Sequence, residues 1–219
     1  VGGLIGNWSF DDGSGETGFT RTDYTLKLLA SPSADHQFEA KIGYSDMEAN
    51  ETYLGLTTED FARHATERYA ASRFDNIATY HFRSYLQHTW RLSPEASIET
   101  KAYYNRFHRN WYKLDKVNGR SLSSALFVSD PAYPVLTGGA AGELKVKANN
   151  RDYISSGIQT GVTWSAETGD WNHRFEVGVR YHHDRIRRLQ WADLYQQDAT
   201  GAIVGRSFSG PENEGDRKQ

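Results

Sequence analysis

Hydrophobic and polar residues alternate along the segment that follows residue 76. From Ala78 to Leu92 the even positions are mostly apolar or aromatic, and the odd positions are polar or charged. Successive side chains of a β-strand point to opposite faces, so this pattern predicts a long strand with one apolar and one polar face. A tight turn at Leu92 to Ala96 and a second alternating run complete a predicted antiparallel hairpin from Ile77 to Trp111.

The solvent that meets the apolar face decides the fold class. In a soluble sandwich strands average about five or six residues, whereas this alternation lasts about fifteen residues. A strand of an outer-membrane barrel needs about 9 to 11 residues to cross the hydrocarbon and has aromatic residues at both interfaces. Tyr80 and Phe82 near one end, Trp90 near the other and Leu86 between them fit that arrangement. The pattern therefore favours an all-β, antiparallel transmembrane barrel, with the sandwich as the alternative.

The same period-two pattern recurs along the chain and predicts seven strands in all. Besides the hairpin, the predicted strands lie at Leu4 to Phe10, Phe19 to Ser31, 37–45, 158–164 and 174–182. Phe107 and Trp111 fall on the polar side of their strand. That placement predicts either a β-bulge or a strand that projects above the bilayer, where the facing rule relaxes.

The predicted connections alternate in length. They are short near residues 33, 94 and 168, and long over 46–75, over 114–150 and after residue 188. Outer-membrane barrels have short periplasmic turns and longer external loops, so the long connections are predicted to face outside the cell. In the first of them, Thr57 or Thr58 could cap a short helix that ends at Arg63. Residues 199–205 are predicted to form a small hairpin within the last.

Composition narrows the classes further. Aromatic residues make up 13% of the chain, as expected of interfacial girdles, and no run of about eighteen apolar residues predicts a transmembrane helix. Cysteine is absent, which suits an oxidising compartment, and a net charge of −3 offers no basic patch for nucleic acid. The first ten residues lack the features of a signal peptide, so an exported protein is expected to have lost its beginning.

Seven strands are too few to close a single-chain bacterial barrel, which has an even number of strands starting at eight. An unpaired backbone group in hydrocarbon costs several kcal/mol, so two open strand edges would not be stable there. Residues 1–219 are therefore predicted to be one partial outer-membrane barrel domain, completed by further strands or by an assembly.

Three segments carry a resemblance to a known family: ETYLGLTTEDF at 51–61, ERYAASRFDN at 67–76 and TKAYYNRFHRNWYKL at 100–114. They resemble the barrel of TonB-dependent outer-membrane receptors and, within that family, the ferric citrate receptor type. The resemblance implies a 22-stranded barrel in the bacterial outer membrane, closed by an N-terminal plug. It also implies import of a ferric chelate such as ferric citrate or a siderophore, powered through the TonB–ExbB–ExbD complex.

In such a receptor, the plug, the TonB box before it and the closing C-terminal strands are expected to lie outside this sequence. The resemblance implies that the transported chelator holds the iron, with no cofactor or direct metal ligand supplied by the protein. A passive outer-membrane porin or channel would share the alternation without a plug. A soluble β-sandwich that binds carbohydrate through its aromatic residues is the remaining alternative.

No motif of a catalytic constellation is present, which predicts a protein that is not an enzyme. His182 and His183 are neighbours in a predicted strand and point to opposite faces, so they are not expected to share a metal ion. On the polar face, cross-strand ladders are predicted for Arg83, Arg91, Lys101, Arg174, Glu176 and Arg180.

Cationic and aromatic groups in the long connections and upper strand ends are the candidate ligand-binding residues. Many ferric chelates are anionic, and the planar guanidinium fork of arginine suits carboxylates. Alternatively, these arginines pair with loop acids such as Glu59, Asp60 and Glu67, or with phosphates of outer-membrane lipid and lipopolysaccharide. The candidates are Arg63, Arg68, Arg73, Arg109, Trp111, Arg187 and Arg188.

Overall fold

The computed structural model describes the backbone of residues 6–8 and 18–218 and the side chains of residues 18–211. Of the predicted first strand, Leu4 to Phe10, residues 6–8 form a strand and the remainder lies outside the described residues. Among the described residues, no helix is long and apolar enough to cross a membrane.

The described residues form one antiparallel β-sheet. Its strands are β1 (Gly6–Trp8), β2 (Phe19–Ala30), β3 (His36–Ala49), β4 (Asn76–Arg91), β5 (Ala96–Val117), β6 (Arg120–Ser121), β7 (Gly142–Thr168), β8 (Trp171–Gln197) and β9 (Ile203–Lys218). The connections contain α1 (Thr58–Arg63), a 3₁₀ helix (Ala70–Ser72), α2 (Leu122–Ala125) and α3 (Tyr133–Leu136). The strand order is β1-β2-β3-β4-β5-β7-β8-β9, with β6 paired to β5 beside this path.

No pairing within the described part of the chain joins β1 to β9. The sheet is therefore open at both edges, which is consistent with a segment of a larger barrel. The predicted all-β, antiparallel barrel segment is confirmed.

The hairpin of β4 and β5 is the predicted one. Its register is unbroken from Asn76 opposite Tyr112 to Arg91 opposite Ser97. At the turn, two backbone N–H groups donate to the Ala96 carbonyl oxygen, at 2.9 and 3.2 Å.

The cross-strand register places the apolar positions of the strands on one face of the sheet, the apolar face. One row across this face contains Leu28, Ala40, Leu86, Ala102, Ile158 and Tyr181. Leu86 is 54% exposed and Ile158 is 50% exposed, although both are large and apolar. The described residues contain no second sheet against which this face could pack, which argues against the sandwich. The opposite side is called the polar face.

Aromatic residues mark both edges of the exposed apolar band. The edge nearer the long connections contains Tyr24, Tyr44, Phe82 and Tyr104. At the other edge, the ring of Phe38 stacks on His88 at 4.4 Å between centroids, and Trp164 stacks on Phe175 at 5.5 Å. Along β7 the band runs from Ile154 to Trp164, which matches the roughly 9 to 11 residues that a strand needs to cross the hydrocarbon.

The strands continue well beyond this band, which corrects the predicted loops. β5 runs to Val117, β7 begins at Gly142 and β8 runs to Gln197, so the loops predicted over 114–150 and after residue 188 are wrong in extent. The small hairpin predicted at 199–205 is the end of a longer one, because residues 198–202 are the tight turn that joins β8 to β9. Beyond a bilayer, polar residues can occupy both faces of a strand, and the alternation that marks it is lost.

Phe107 and Trp111 lie in a regular part of β5. The register with β7 is continuous from Ala96 to Leu114, and the register shift lies beyond it, between Leu114 and Lys116. The predicted bulge is therefore wrong. These side chains are on the polar face because the strand projects beyond the apolar band, which is the other arrangement that the sequence predicts.

The two long connections, residues 50–75 and 118–141, pack together at the strand ends opposite the short turns. Thr57 caps α1 as predicted, by accepting a hydrogen bond from the Asp60 backbone N–H at 3.1 Å. The Asp60 carboxylate accepts hydrogen bonds from the hydroxyls of Tyr133, at 2.6 Å, and Tyr69, at 2.7 Å. These phenols hold the pKa of Asp60 below its ordinary value. The buried cluster here, called the loop core, contains Tyr69, Ala71, Leu114, Val117, Leu122, Ala125, Ala132, Val135, Leu136, Leu144, Val146 and Tyr195.

Candidate ligand-binding surface

Three arginines lie side by side on the polar face, on neighbouring strands. Arg109 of β5 is opposite Arg151 of β7, and Arg151 is opposite Arg188 of β8. On β5, Arg109 comes after Tyr104, which marks the edge of the apolar band, so the three arginines lie beyond the band on the side of the long connections. Arg109, Arg151 and Arg188 are called the arginine row.

Aromatic, amide and apolar side chains flank the arginine row. On the loop side these are Trp111, Asn149 and Gln190, and on the band side they are Phe107, Tyr153 and Ile186. Arg151 donates from Nε to Asn149 Oδ1 at 2.9 Å, and from a terminal nitrogen to the Tyr153 hydroxyl at 3.4 Å. Neutral groups therefore orient the guanidinium of Arg151 without cancelling its charge.

The arginine row concentrates positive charge at one place on the sheet. Like charges directly opposite one another destabilise a strand pair. In addition, Arg109 Nε is buried and has no hydrogen-bond partner among the described residues. An anion that bridged these guanidinium groups would relieve the repulsion and accept hydrogen bonds from them.

A pair of lysines lies next to Trp111 on the same face. Lys113 and Lys147 are directly opposite in the register. The Lys113 ammonium is 3.6 Å from the centroid of the Tyr53 ring and 4.3 Å from that of Trp111. Burial lowers the pKa of Lys113, and this effect outweighs the opposing effect of the nearby carboxylates Asp75 and Asp115. Because Tyr53 belongs to the first long connection, the loops and the strands share this surface.

The structure brings together three of the predicted candidates: Arg109, Trp111 and Arg188. It adds Arg151, which the sequence prediction omits. Arg151 directly follows the region interpreted as a long loop, and only the pairing of β5 with β7 places it opposite Arg109.

Two of the predicted candidates, Arg68 and Arg73, have their guanidinium groups engaged by the fold. Arg68 donates to the Asn50 carbonyl oxygen at 2.8 Å. Arg73 donates to the carbonyl oxygens of Ala70, at 2.7 Å, and Gly201, at 2.9 Å. Burial also lowers the pKa of Arg73. These contacts hold backbone segments together, so both residues fall outside the arginine row.

The remaining candidates, Arg63 and Arg187, also lie apart from the arginine row. Arg187 directly precedes Arg188 in β8 and therefore points to the apolar side of the sheet. Arg63 is exposed at the end of α1, where its charge lies near Asp60.

Closer to the short turns, arginines of the polar face form ion pairs and hydrogen bonds with other strand residues. Arg83 is 3.3 Å from Asp23, and Arg180 donates from Nε to the Tyr103 hydroxyl at 3.0 Å. The predicted cross-strand ladders are confirmed for these two arginines. Arg174 instead forms an ion pair within its own strand, with 2.8 Å between its Nε and Glu176 Oε1.

The histidine pair of β8 behaves as its alternation predicts. His182 Nε2 lies 2.8 Å from Asp184 Oδ2, on the polar face, whereas His183 belongs to the opposite side. Within the described part of the chain, no three His, Asp or Glu side chains are grouped so that they could hold a metal ion.

Comparison with known proteins gives a structural likeness. No protein-family model and no curated protein matches the sequence. Among solved structures, the crystal structure of the ferric citrate transporter FecA in the unliganded form matches 99% of this chain, with a TM-score of 0.64 and 15% sequence identity. The chain spans 30% of the length of that transporter chain. At this identity the likeness shows the fold alone, that of a segment of an antiparallel β-barrel.

Proposed function

We propose that this chain forms part of the barrel of a TonB-dependent outer-membrane receptor, and that the arginine row contacts an anionic ferric chelate on its way into the cell. The observation that carries the proposal is the arginine row itself, whose three residues are directly opposite one another in the register, beyond the apolar band. The fold likeness to a ferric citrate transporter supports the type of barrel.

The position of the arginine row suits capture from outside. In an outer-membrane barrel, the face opposite the lipid encloses the pore, and long external loops mark the outer side. The arginine row then lines the outer mouth of the pore, under the long connections. A chelate that enters from outside meets these side chains before it reaches the part of the pore within the bilayer.

The chemistry of the arginine row fits a carboxylate-rich chelate. Each guanidinium can donate two parallel hydrogen bonds to a carboxylate, which gives orientation as well as charge. Trp111 and Tyr53 lie beside the arginine row, and the Lys113 ammonium over both rings adds a further positive charge. Citrate and the carboxylate siderophores carry the iron within their own ligand sphere, so the protein binds the outside of the complex. No bond is made or broken in this proposal.

Import against a gradient needs an energy source. The proposed partner is the TonB–ExbB–ExbD complex, acting through a plug domain of the same protein. Passage without saturation would instead indicate a passive outer-membrane channel.

The experiment measures equilibrium binding of ferric citrate to the full-length protein that contains this chain, purified in detergent. Arg151→Gln removes the central guanidinium of the arginine row, and we expect its affinity for ferric citrate to fall about tenfold. Arg151→Lys keeps the positive charge but loses the planar guanidinium group. Its affinity for ferric citrate is therefore expected to lie between those of the wild type and Arg151→Gln. Arg187→Gln is the matched control, because it removes the same charge from the other side of the sheet.

A second measurement separates ligand binding from structural damage. Because the arginines repel one another, Arg151→Gln is expected to leave the ligand-free protein at least as stable as the wild type. Unchanged affinity for ferric citrate, with Arg151→Gln equal to the control, would contradict the role of the arginine row.

A further inference from the structure

A ladder of four aromatic rings crosses between β3 and β4 at the short-turn end of the apolar face. In the register, Phe38 is directly opposite His88, and His36 is directly opposite Trp90. Neighbouring rings, in the order Phe38, His88, His36, Trp90, lie 4.4, 5.2 and 5.5 Å apart between centroids, and neighbouring ring planes differ by 26° or less. His36 and His88 are called the imidazole pair.

The imidazole pair has an in-plane contact between two ring nitrogens. His36 Nδ1 lies 3.0 Å from His88 Nε2, and the two ring planes differ by 17°. The centroid separation of 5.2 Å exceeds the nitrogen–nitrogen distance by about two ring radii, so the nitrogens point toward each other nearly along the line that joins the rings. One nitrogen carries the shared hydrogen and the other offers its lone pair. Two nitrogens that face each other in this way can also hold a metal ion between them.

The number of available ligands selects the class of ion. Within the described part of the chain, no third His, Asp or Glu side chain is grouped with the imidazole pair so as to complete a metal site. Zn²⁺ takes four ligands, and Ca²⁺ and Mg²⁺ take six or more, mostly oxygens. Cu⁺ and Ag⁺ are univalent ions with filled d shells that are stable with two ligands in a line, and imidazole is a suitable ligand for copper. The collinear nitrogens present that coordination.

The surroundings of the imidazole pair favour a single positive charge. Its ring neighbours are Phe38 and Trp90, and the residue of β5 directly opposite His88 is Thr100, so none of these neighbours is charged. Moving a univalent ion out of water costs less than moving a divalent one. His36 directly follows the exposed turn at 31–35, so an ion dissolved in water can reach the pair from the end of the apolar band.

We propose that the imidazole pair binds one soft univalent cation of the Cu⁺ class, held in line between His36 Nδ1 and His88 Nε2. A metal–imidazole bond is about 2 Å long, so the two nitrogens must move apart by about 1 Å. Both side chains are partly exposed and can turn by that amount. The imidazole that carries the shared hydrogen moves it to its other ring nitrogen, so binding releases no proton and the ion keeps its oxidation state. The inference rests on the fold and is independent of the chelate at the arginine row.

The test uses Ag⁺, an air-stable ion with the same linear preference, and the full-length protein purified in detergent. Native mass spectrometry counts the bound Ag⁺ ions during a titration, and Ag⁺ sites elsewhere in the protein contribute equally to every variant. His88→Phe keeps a ring in the ladder but removes one ligand nitrogen, and His36→Gln removes the other. We expect each variant to bind one Ag⁺ fewer than the wild type, through a loss of affinity of at least about tenfold at this site.

Two controls distinguish the imidazole pair from a single histidine and from a site for divalent ions. His173 lies at the same end of the apolar face, and its ring stacks on Phe175. His173→Gln is therefore expected to bind as many Ag⁺ ions as the wild type. Zn²⁺ at the same concentration is expected to leave Ag⁺ in place. Equal Ag⁺ binding by His88→Phe and the wild type, an equal loss in His173→Gln, or displacement of Ag⁺ by Zn²⁺ would overturn the proposal.

Discussion

The Tyr133 hydroxyl donates a hydrogen bond to the Asp60 carboxylate at 2.6 Å, and this contact joins two long connections that are separate in sequence. Tyr69, from the same connection as Asp60, donates to the same carboxylate oxygen. Together with the loop core, these bonds fix both connections onto the upper ends of β5 and β7. The ring of Tyr53 is consequently held against Trp111, at 5.7 Å between centroids, beside the arginine row.

Removal of the Tyr133 hydroxyl is expected to loosen both connections. A hydrogen bond to a charged group contributes about 1.5 to 3 kcal/mol, so Tyr133→Phe is expected to lower the local opening free energy by an amount in that range. Hydrogen exchange then speeds up in residues 57–69 as well as in residues 130–137. Tyr181→Phe, an exposed tyrosine of the apolar band, is the control. Faster exchange in one connection alone would show that the two are not coupled.

Asp75 is expected to make the loop core sensitive to pH. It is 1% exposed and accepts hydrogen bonds from the Leu114 N–H at 2.6 Å and the Thr52 hydroxyl at 2.7 Å. Burial raises the pKa of Asp75 to about 6, from an ordinary value of 3.8. The folded state therefore holds this proton more tightly than the unfolded state, and the associated stability is complete below pH 3.8 and is lost as the pH rises through about 6.

The Asp75→Asn variant isolates this effect. From pH 3.8 to pH 7 the wild type is expected to lose about 3 kcal/mol of loop-core stability through this group, whereas the variant loses none through it. Hydrogen exchange of the Leu114 amide, corrected for the intrinsic rate at each pH, measures the difference. Parallel pH profiles for the two proteins would show that Asp75 is not the responsible group.

Two glycines of β7 differ sharply in the space beside them. A Cβ at Gly157 would lie 2.5 Å from both the Tyr103 hydroxyl oxygen and the Tyr181 carbonyl oxygen, whereas the nearest atom to a Cβ at Gly161 is the Val177 carbonyl oxygen at 3.7 Å. Gly157→Ala is expected to destabilise the protein by about 1 to 3 kcal/mol, because two neighbouring strands must move. Gly161→Ala is expected to change stability by about 0.5 kcal/mol or less. Unfolding of the full-length protein in detergent compares the two; equal losses would contradict the β7–β8 register.

Arginine placed on either side of β4 tests the cost of a charge in the band. Leu86→Arg is expected to cost about 2 to 4 kcal/mol if Leu86 lies near the bilayer midplane, whereas Gln87→Arg, on the polar face, costs less. Unfolding from lipid bilayers measures both. On β8, Gly178→Arg is not a suitable control for Val177→Arg. A Cβ at Gly178 would lie 3.2 Å from the Thr160 carbonyl oxygen, so the substitution would also crowd the backbone. Equal costs at Leu86 and Gln87 would remove the assignment of faces.

The sequence predicts the fold well where the chain meets two different environments. Leu86 and Ile158 alternate with polar neighbours because one side of each strand is apolar and the other is polar, so the strands and their faces can be read directly. Beyond the band this contrast ends. The stretch around Asn149 and Asn150 is polar on both sides, so the sequence pattern predicts a loop where the upper half of β7 lies.

The candidate surface depends on information that the sequence carries only indirectly. Arg109 and Arg188 could be proposed from their charge, but their alignment through Arg151 follows from the cross-strand register. Arg68 and Arg73 have the same chemistry, yet their guanidinium groups bind backbone carbonyl oxygens of the fold. Which arginines are engaged in this way depends on tertiary contacts between distant residues, and no local pattern encodes those contacts.

The most direct test of the account is the environment of alternate residues along β4. The sequence contains no cysteine, so single spin labels can be attached through Leu86→Cys and Gln87→Cys in a cysteine-free version of the full-length protein in lipid. If the apolar face meets lipid, the label at 86 is more accessible to oxygen, which dissolves in acyl chains, than to a water-soluble nickel complex, and the label at 87 shows the reverse. Equal accessibility at the two positions, or a label at 86 that neither reagent reaches, would contradict the account.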